Sequence, residues 1–270
     1  EYALRPAGYK PPGDDRPRMD LSEFVGRLDA ELRTDAYADL DASANGLQVD
    51  GPDEIGRVAL AVDAAHATAE AAVDRDADLL LVHHGLVWGG LDRVTGRTYD
   101  RLAPLFAGDC GLYVSHLPLD GHPELGNAAG VCDVLSVSDR GPFGALGPKT
   151  VGLSGRVPAQ PVGALVDRLE SALSPGRGVH LLPFGPEEVE RVAVLTGSGA
   201  DWLDEAEAAD VDLFVTGEGK QKLYHEAREA GVNVALAGHY ATETFGVRAV
   251  GEVVEEWGVE TTWIDHPTGL

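Results

Sequence analysis

The chain has 270 residues and a formal net charge of -24, a length that suits one large α/β domain or two small ones. No apolar run is long enough to cross a membrane. The acidic excess argues against non-specific nucleic-acid binding, which needs cationic surface to displace counterions. Two cysteines, Cys110 and Cys132, are too few for a disulfide framework, so the expected setting is a reducing cytoplasm. Of the 21 basic residues only Lys10, Lys149, Lys220 and Lys222 are lysines. Little lysine within a large acidic excess points to a protein adapted to high salt, where carboxylates hold water and their repulsion is screened.

Residues 1–18 are rich in Pro, Gly and charge (Pro11, Pro12, Gly13, Asp14, Asp15) and lack the apolar core of a signal peptide. They read as a disordered extension, with Met19 as the expected native start. Strands are expected at Val58–Val62, Leu79–Val82, Leu112–Ser115, Val151–Val157, Val179–Leu182, Val192–Thr196, Leu213–Thr216, Val232–Leu236 and Val259–Ile264. Helices are expected at Ala64–Arg75, Leu203–Ala209, Lys220–Ala230 and Thr242–Trp257. Alternating strands and helices predict an α/β fold with mostly parallel or mixed sheets.

An internal repeat divides the chain. Arg57-Val-Ala-Leu-Ala-Val-Asp63 resembles Arg191-Val-Ala-Val-Leu-Thr-Gly197, and Ala77-Asp-Leu-Leu-Leu-Val82 resembles Val211-Asp-Leu-Phe-Val-Thr216, at one constant offset. Each half continues through a helix to a strand and then His-x-x-x-carboxylate: His116 with Asp120, and His239 with Glu243. The expected organisation is a first α/β half at 19–140, a linker with a bridging strand–helix–strand at 141–190, and a second half at 191–270. Gly141 to Pro148 reads as the Gly/Pro-rich linker. A ligand site is expected where the two halves face each other.

Residues that carry chemistry follow strands, as ligand-binding residues do in α/β sheets. His83 and His84 end an apolar strand and precede Gly85, where neighbouring side chains that normally diverge can converge; the plainer reading is two histidines satisfied by backbone hydrogen bonds. Asp120 lies in Ser115-His-Leu-Pro-Leu-Asp120-Gly, where Pro118 argues for a shaped loop and a turn role for Asp120 is the alternative. Glu243 would lie in the first turn of a helix starting near Tyr240, where it could serve only the helix dipole. Neutral imidazoles and carboxylates suit zinc, iron, manganese and nickel alike. His116, Glu218 and His225 are weaker candidates, for proton transfer or general-base work. Thr196-Gly-Ser-Gly199 offers backbone N–H groups to an anion but lacks the Lys-Ser/Thr of a nucleotide-binding P-loop. His66, His122, His180 and His266 read as ordinary.

These motifs also resemble a known family. Leu81-Val-His-His-Gly85, Ser115-His-Leu-Pro-Leu-Asp120 with Asn127 downstream, Val215-Thr-Gly-Glu218, Gly238-His-Tyr-Ala-Thr-Glu243 and Asn45-Gly-Leu-Gln48-Val together look like the Nif-three-like family, whose members are often called GTP cyclohydrolase I type 2 homologues. The resemblance covers Met19 to the C-terminus. It implies two divalent metal ions on His83, His84, Asp120, His239 and Glu243, and a toroidal homohexamer of two-domain subunits. It departs from the family's common pattern at Gly85, where Pro is frequent, and at Leu117, where Thr is frequent. The expected function is a metal-dependent hydrolase acting on a nucleotide-like or phosphorylated small molecule. The alternative is a non-enzymatic metal-delivery or interaction factor.

Overall fold

The computed structural model describes residues 16–270, so most of the expected disordered extension lies outside the described residues. Two compact units divide the described residues: 16–119 with 247–266, and 120–246 with 267–270.

The first unit opens with β1 (Met19–Asp20) and α1 (Leu21–Leu32). Asp20 caps that helix by accepting from the N–H groups of Ser22 and Glu23, which satisfies donors a helix leaves open. Phe24, Leu28 and Leu32, four residues apart, form its buried stripe. Then follow β2 (Gly46–Val49), β3 (Glu54–Ile55), β4 (Arg57–Asp63), α2 (His66–Asp74), β5 (Leu79–His84), α3 (Arg97–Gly108), β6 (Gly111–Val114) and α4 (Leu117–Asp120).

The second unit holds α5 (Asn127–Leu135), β7 (Ser138–Leu146), β8 (Lys149–Pro161), α6 (Val162–Leu173), β9 (His180–Leu182), β10 (Glu188–Leu195), α7 (Leu203–Ala208), β11 (Leu213–Thr216), α8 (Leu223–Ala230), β12 (Asn233–Leu236) and α9 (His239–Thr242). Helix α10 (Thr244–Glu256) then carries the chain back to the first unit, which β13 (Glu260–Trp263) completes.

The first unit's main sheet has the order β13-β4-β5-β6-β2, parallel except for β2. Alternation splits its side chains between two cores. Ala59, Ala61, Leu80, Val82, Leu112 and Val114 pack with α2 and α3 residues on one face. Val58, Leu60, Leu79, Leu81 and Tyr113 pack with Phe24, Leu28, Val247, Val250 and Val254 on the other. Burial on both faces explains why these strands read as continuous apolar runs.

The second unit's sheet runs β7-β8-β10-β11-β12-β9, with β10, β11 and β12 parallel and the outer strands antiparallel. The duplication is visible in hydrogen bonds. Val58 pairs with Leu79, and Val192 with Leu213, at identical repeat positions. The Asp78 carboxylate accepts from the N–H groups of Gly56 and Arg57, and Asp212 accepts from Glu190 and Arg191 in the same way.

Three expectations need correction. Gly141–Pro148 is not a linker: it supplies most of β7, which pairs with β8 through a tight turn at Gly147 and Pro148. Its Gly and Pro content hides the strand, but β7 lies at the sheet edge, where Pro142 costs no ladder bond inside the sheet. The segment 141–190 supplies sheet strands and a core helix to the second unit instead of bridging two halves. Residues 247–266, expected in the second half, supply α10 and β13 to the first unit because β13 pairs with β4.

Candidate functional site

In the first unit three imidazoles gather at the carboxyl ends of β5 and β6. His83 and His84 end β5, and their rings converge to a centroid distance of 4.6 Å. His116, just past β6, brings its ring to 5.1 Å from His83 and 5.6 Å from His84. One ligand atom from each lies within 4.8 Å of the others, so the three could hold a metal ion.

Each ring is held through Nδ1. His83 Nδ1 is 2.9 Å from the carbonyl oxygen of Ser115. A carbonyl only accepts, so this Nδ1 carries the proton and a neutral His83 offers its lone pair at Nε2. His84 Nδ1 is 2.9 Å from Asp63 Oδ1, and His116 Nδ1 is 2.9 Å from Asp41 Oδ1. A carboxylate or carbonyl behind each imidazole is the arrangement that orients metal-binding histidines.

Asp41 and Asp63 are the residues that sequence reasoning missed. Asp63 ends β4 and pairs in register with His84; it closes the Arg57–Asp63 repeat, and a carboxylate at a strand end was the available signal. Asp41 sits in irregular chain, far from His116 in sequence, and carried no signal. Its carboxylate also accepts from the N–H groups of Ser43 and Leu117 and from the Asn45 amide. Burial pushes its pKa up, but the His116 hydrogen bond and charge, with Asn45 and Ser43, outweigh it and hold the group at about 2. Asn45 Oδ1 accepts from the His116 N–H at 2.7 Å, which gives the Asn-Gly-Leu-Gln motif a structural role.

In the second unit the equivalent strand ends carry different groups. Gly217 and Glu218 stand where the first half has His83 and His84, and Gly197 stands where it has Asp63. A Cβ on Gly217 would meet Gly197 O at 2.7 Å and His239 Cα at 2.8 Å. One on Gly197, whose φ is +61°, would run into Glu243 Oε1. The glycines thus clear space for His239 and Glu243.

His239 opens α9 and lies between two carboxylates, with Nδ1 3.3 Å from Glu218 and Nε2 3.1 Å from Glu243. Burial disfavours its charged form, but the Glu243 and Glu218 carboxylates prevail and raise its pKa to about 9. Glu218 is held below the usual carboxylate range chiefly by the Ser198 hydroxyl, against burial and with help from His239. Glu243 is buried at the break between α9 and α10, so it is not in a helix's first turn as expected.

Asp120 ends α4, where its Oδ1 accepts from the Asn127 amide at 2.9 Å and the Thr196 hydroxyl at 3.5 Å. Asn127 is fully buried, and its Oδ1 accepts from the Gly246 N–H. Pro118 does not prevent helix here: it occupies the first turn of α4, where its missing N–H has no partner to lose.

Other candidates stand apart. His225 is exposed on α8 beside the Tyr224 ring. The Gly197 and Gly199 N–H groups, expected to cradle an anion, donate to the Thr242 and Thr216 hydroxyls. His122 Nδ1 accepts two backbone N–H groups in a turn, and His66 lies near Glu70 on the surface.

A family model described as Duf34/NIF3 (NGG1p interacting factor 3) matches residues 19–268. A Halobacterium salinarum protein named GTP cyclohydrolase 1 type 2 homolog is 59% identical, over 93% of this chain and 100% of its own length. One of the same name from Archaeoglobus fulgidus is 41% identical, with the same two coverages. Among solved structures, TTHA1606 from Thermus thermophilus superimposes with a TM-score of 0.86 at 40% identity, over 93% of this chain and all of that one. With the family model spanning residues 19–268 and relatives matched over their full length, the chain belongs to the Duf34/NIF3 family.

Proposed function

We propose that this protein is a dinuclear metal-dependent hydrolase acting on a nucleotide-like small molecule. His83, His84, Asp120, His239 and Glu243 are its metal ligands in this reading. The observation that carries the reading is the fixed orientation of the first unit's imidazoles: three neighbouring rings, each with Nδ1 against an oxygen acceptor. An imidazole tied in this way can direct its Nε2 lone pair to a metal ion, the part proposed for His83 and His84. The donor set of three imidazoles and two carboxylates suits borderline divalent ions: zinc, iron, manganese or nickel.

Bound cations would supply Lewis acidity for attack of water on a carbon or phosphorus centre. The chain's own residues then orient and move protons. His116, fixed through Nδ1 by Asp41, takes up and releases a proton at Nε2. Glu218, ionised and held by Ser198, is the candidate general base. His225 has no part in this reading because of its exposed position on α8. The nucleotide-like substrate rests on the name shared by the relatives, GTP cyclohydrolase 1 type 2 homolog. A homohexamer is part of the same reading, and light scattering of the purified protein tests it. Among the described residues no helix is long and apolar enough to cross a membrane.

The test is hydrolysis of GTP and of a phosphoester by protein loaded with zinc, manganese or iron. Turnover by wild type, lost in both His83→Ala and Glu243→Ala, is the expected result. Metal-loaded wild type that hydrolyses neither compound, but passes metal to an apo-acceptor, overturns the hydrolase and favours a delivery factor.

A further inference from the structure

We propose that Trp88 is the platform on which a planar heteroaromatic ring of the substrate stacks, which makes it a specificity-determining residue of the first unit's histidine cluster. The proposal rests on the hydrolase reading and narrows its substrate to ring-bearing compounds.

Trp88 remains 44% exposed, unusual for the largest apolar side chain in a chain with a well-filled core. Its indole lies beside the cluster, 5.0 Å from the His116 ring in an edge-on arrangement and 6.2 Å from the His84 ring. A ring stacked on the indole would therefore sit beside two imidazoles that are already oriented.

The exposed ring is also held in place. Its Nε1–H donates to the Gly85 carbonyl at 3.0 Å. The Ala44 N–H donates to Val87 O and the Gly89 N–H to Ala42 O, and Trp88 itself bridges to Ser43. The Gln48 Oε1 accepts from the N–H groups of Leu86 and Val87. The Gln48 amide and Val114 Cγ2 lie close under Gly85, 2.6 Å from where a Cβ would stand, so both pack directly against the turn. The indole N–H is satisfied and the backbone is fixed on both sides of residue 88. A rigid aromatic face loses little conformational freedom when a ligand stacks on it. Stacking on one indole is tolerant of ring identity because every heteroaromatic ring offers a π-face. Selectivity is thus between ring-bearing and ring-less compounds.

The experiment titrates metal-loaded wild type, Trp88→Phe and Trp88→Ala with guanosine and with ribose 5-phosphate, following tryptophan fluorescence and calorimetry. Guanosine should quench wild-type emission and bind, and Trp88→Ala should bind it roughly 10- to 100-fold more weakly. Trp88→Phe should recover most of the affinity, while ribose 5-phosphate should bind all three proteins alike. Metal content and thermal midpoint should be the same in the three. Equal guanosine affinity of wild type and Trp88→Ala overturns the proposal, as does metal-loaded wild type that binds no guanosine. A change of oligomeric mass in Trp88→Ala without a change in guanosine affinity also overturns it, because the ring then serves an interface between copies. Wild type that takes up no metal instead refutes the hydrolase reading, and the two failures are told apart by elemental analysis.

Discussion

Asp41 shows how one residue far from its partner in sequence sets a functional side chain. It has no place in regular structure, yet its carboxylate fixes the His116 ring and the Leu117 N–H together. Its folded pKa of about 2 lies below the ordinary 3.8. A depressed carboxylate contributes stability above its unfolded pKa and loses it as pH falls through the folded value. The contribution is about 2 kcal/mol at neutral pH, lost between roughly pH 4 and pH 2. In chelator-treated protein, Asp41→Asn should therefore flatten the fall in stability across that window, as followed by urea unfolding at several pH values. Parallel pH profiles for the two proteins would refute the assignment. The neighbouring Asn45 is expected to matter through the backbone: its loss leaves the His116 N–H without its acceptor.

At the scale of elements, the two parallel three-strand units β4-β5-β6 and β10-β11-β12 share register and the Asp78/Asp212 clamp, but their strand ends differ. His83 of one half is Gly217 of the other. Gly217→Ala would drive a methyl group into backbone atoms at 2.7 Å and 2.8 Å. It should cost about 1–3 kcal/mol, as overpacking does, seen as a lower thermal midpoint together with weaker metal binding. An unchanged midpoint would show that the close approach is not a constraint. Much of this level was legible in the sequence: the parallel strands are continuous apolar runs, and the constant offset revealed the repeat. The strands that escaped are edge elements. β7 contains Gly141, Pro142 and Gly144 and looks like a linker. β2 and β3 are too short for alternation to show. The helix expected over Thr242–Trp257 is interrupted at Glu243, whose conformation (φ -103°, ψ 7°) ends α9 before α10 begins. Of the candidate residues, His83 and His84 were readable from their place at the end of an apolar strand, and His116 from its place just past β6. Asp41 was not, because nothing local announces a carboxylate that acts across the fold.

For the whole molecule, charge sets one expectation and metal content another. With a net charge of -24, self-repulsion opposes the folded state and salt relieves it. Raising KCl from about 0.1 M to about 1 M shortens the screening length from ~10 Å to ~3 Å, so the thermal midpoint should rise across that range in a melting series. A flat or falling midpoint would contradict the high-salt reading. Elemental analysis decides whether the chain holds two metal ions. The protein should be purified without an affinity tag or metal column, alongside His83→Ala and Glu243→Ala. Two divalent ions per chain in wild type, reduced in both variants, is the expected result; wild type without stoichiometric metal, or variants that retain the full complement, would rule out these five residues as a dinuclear site.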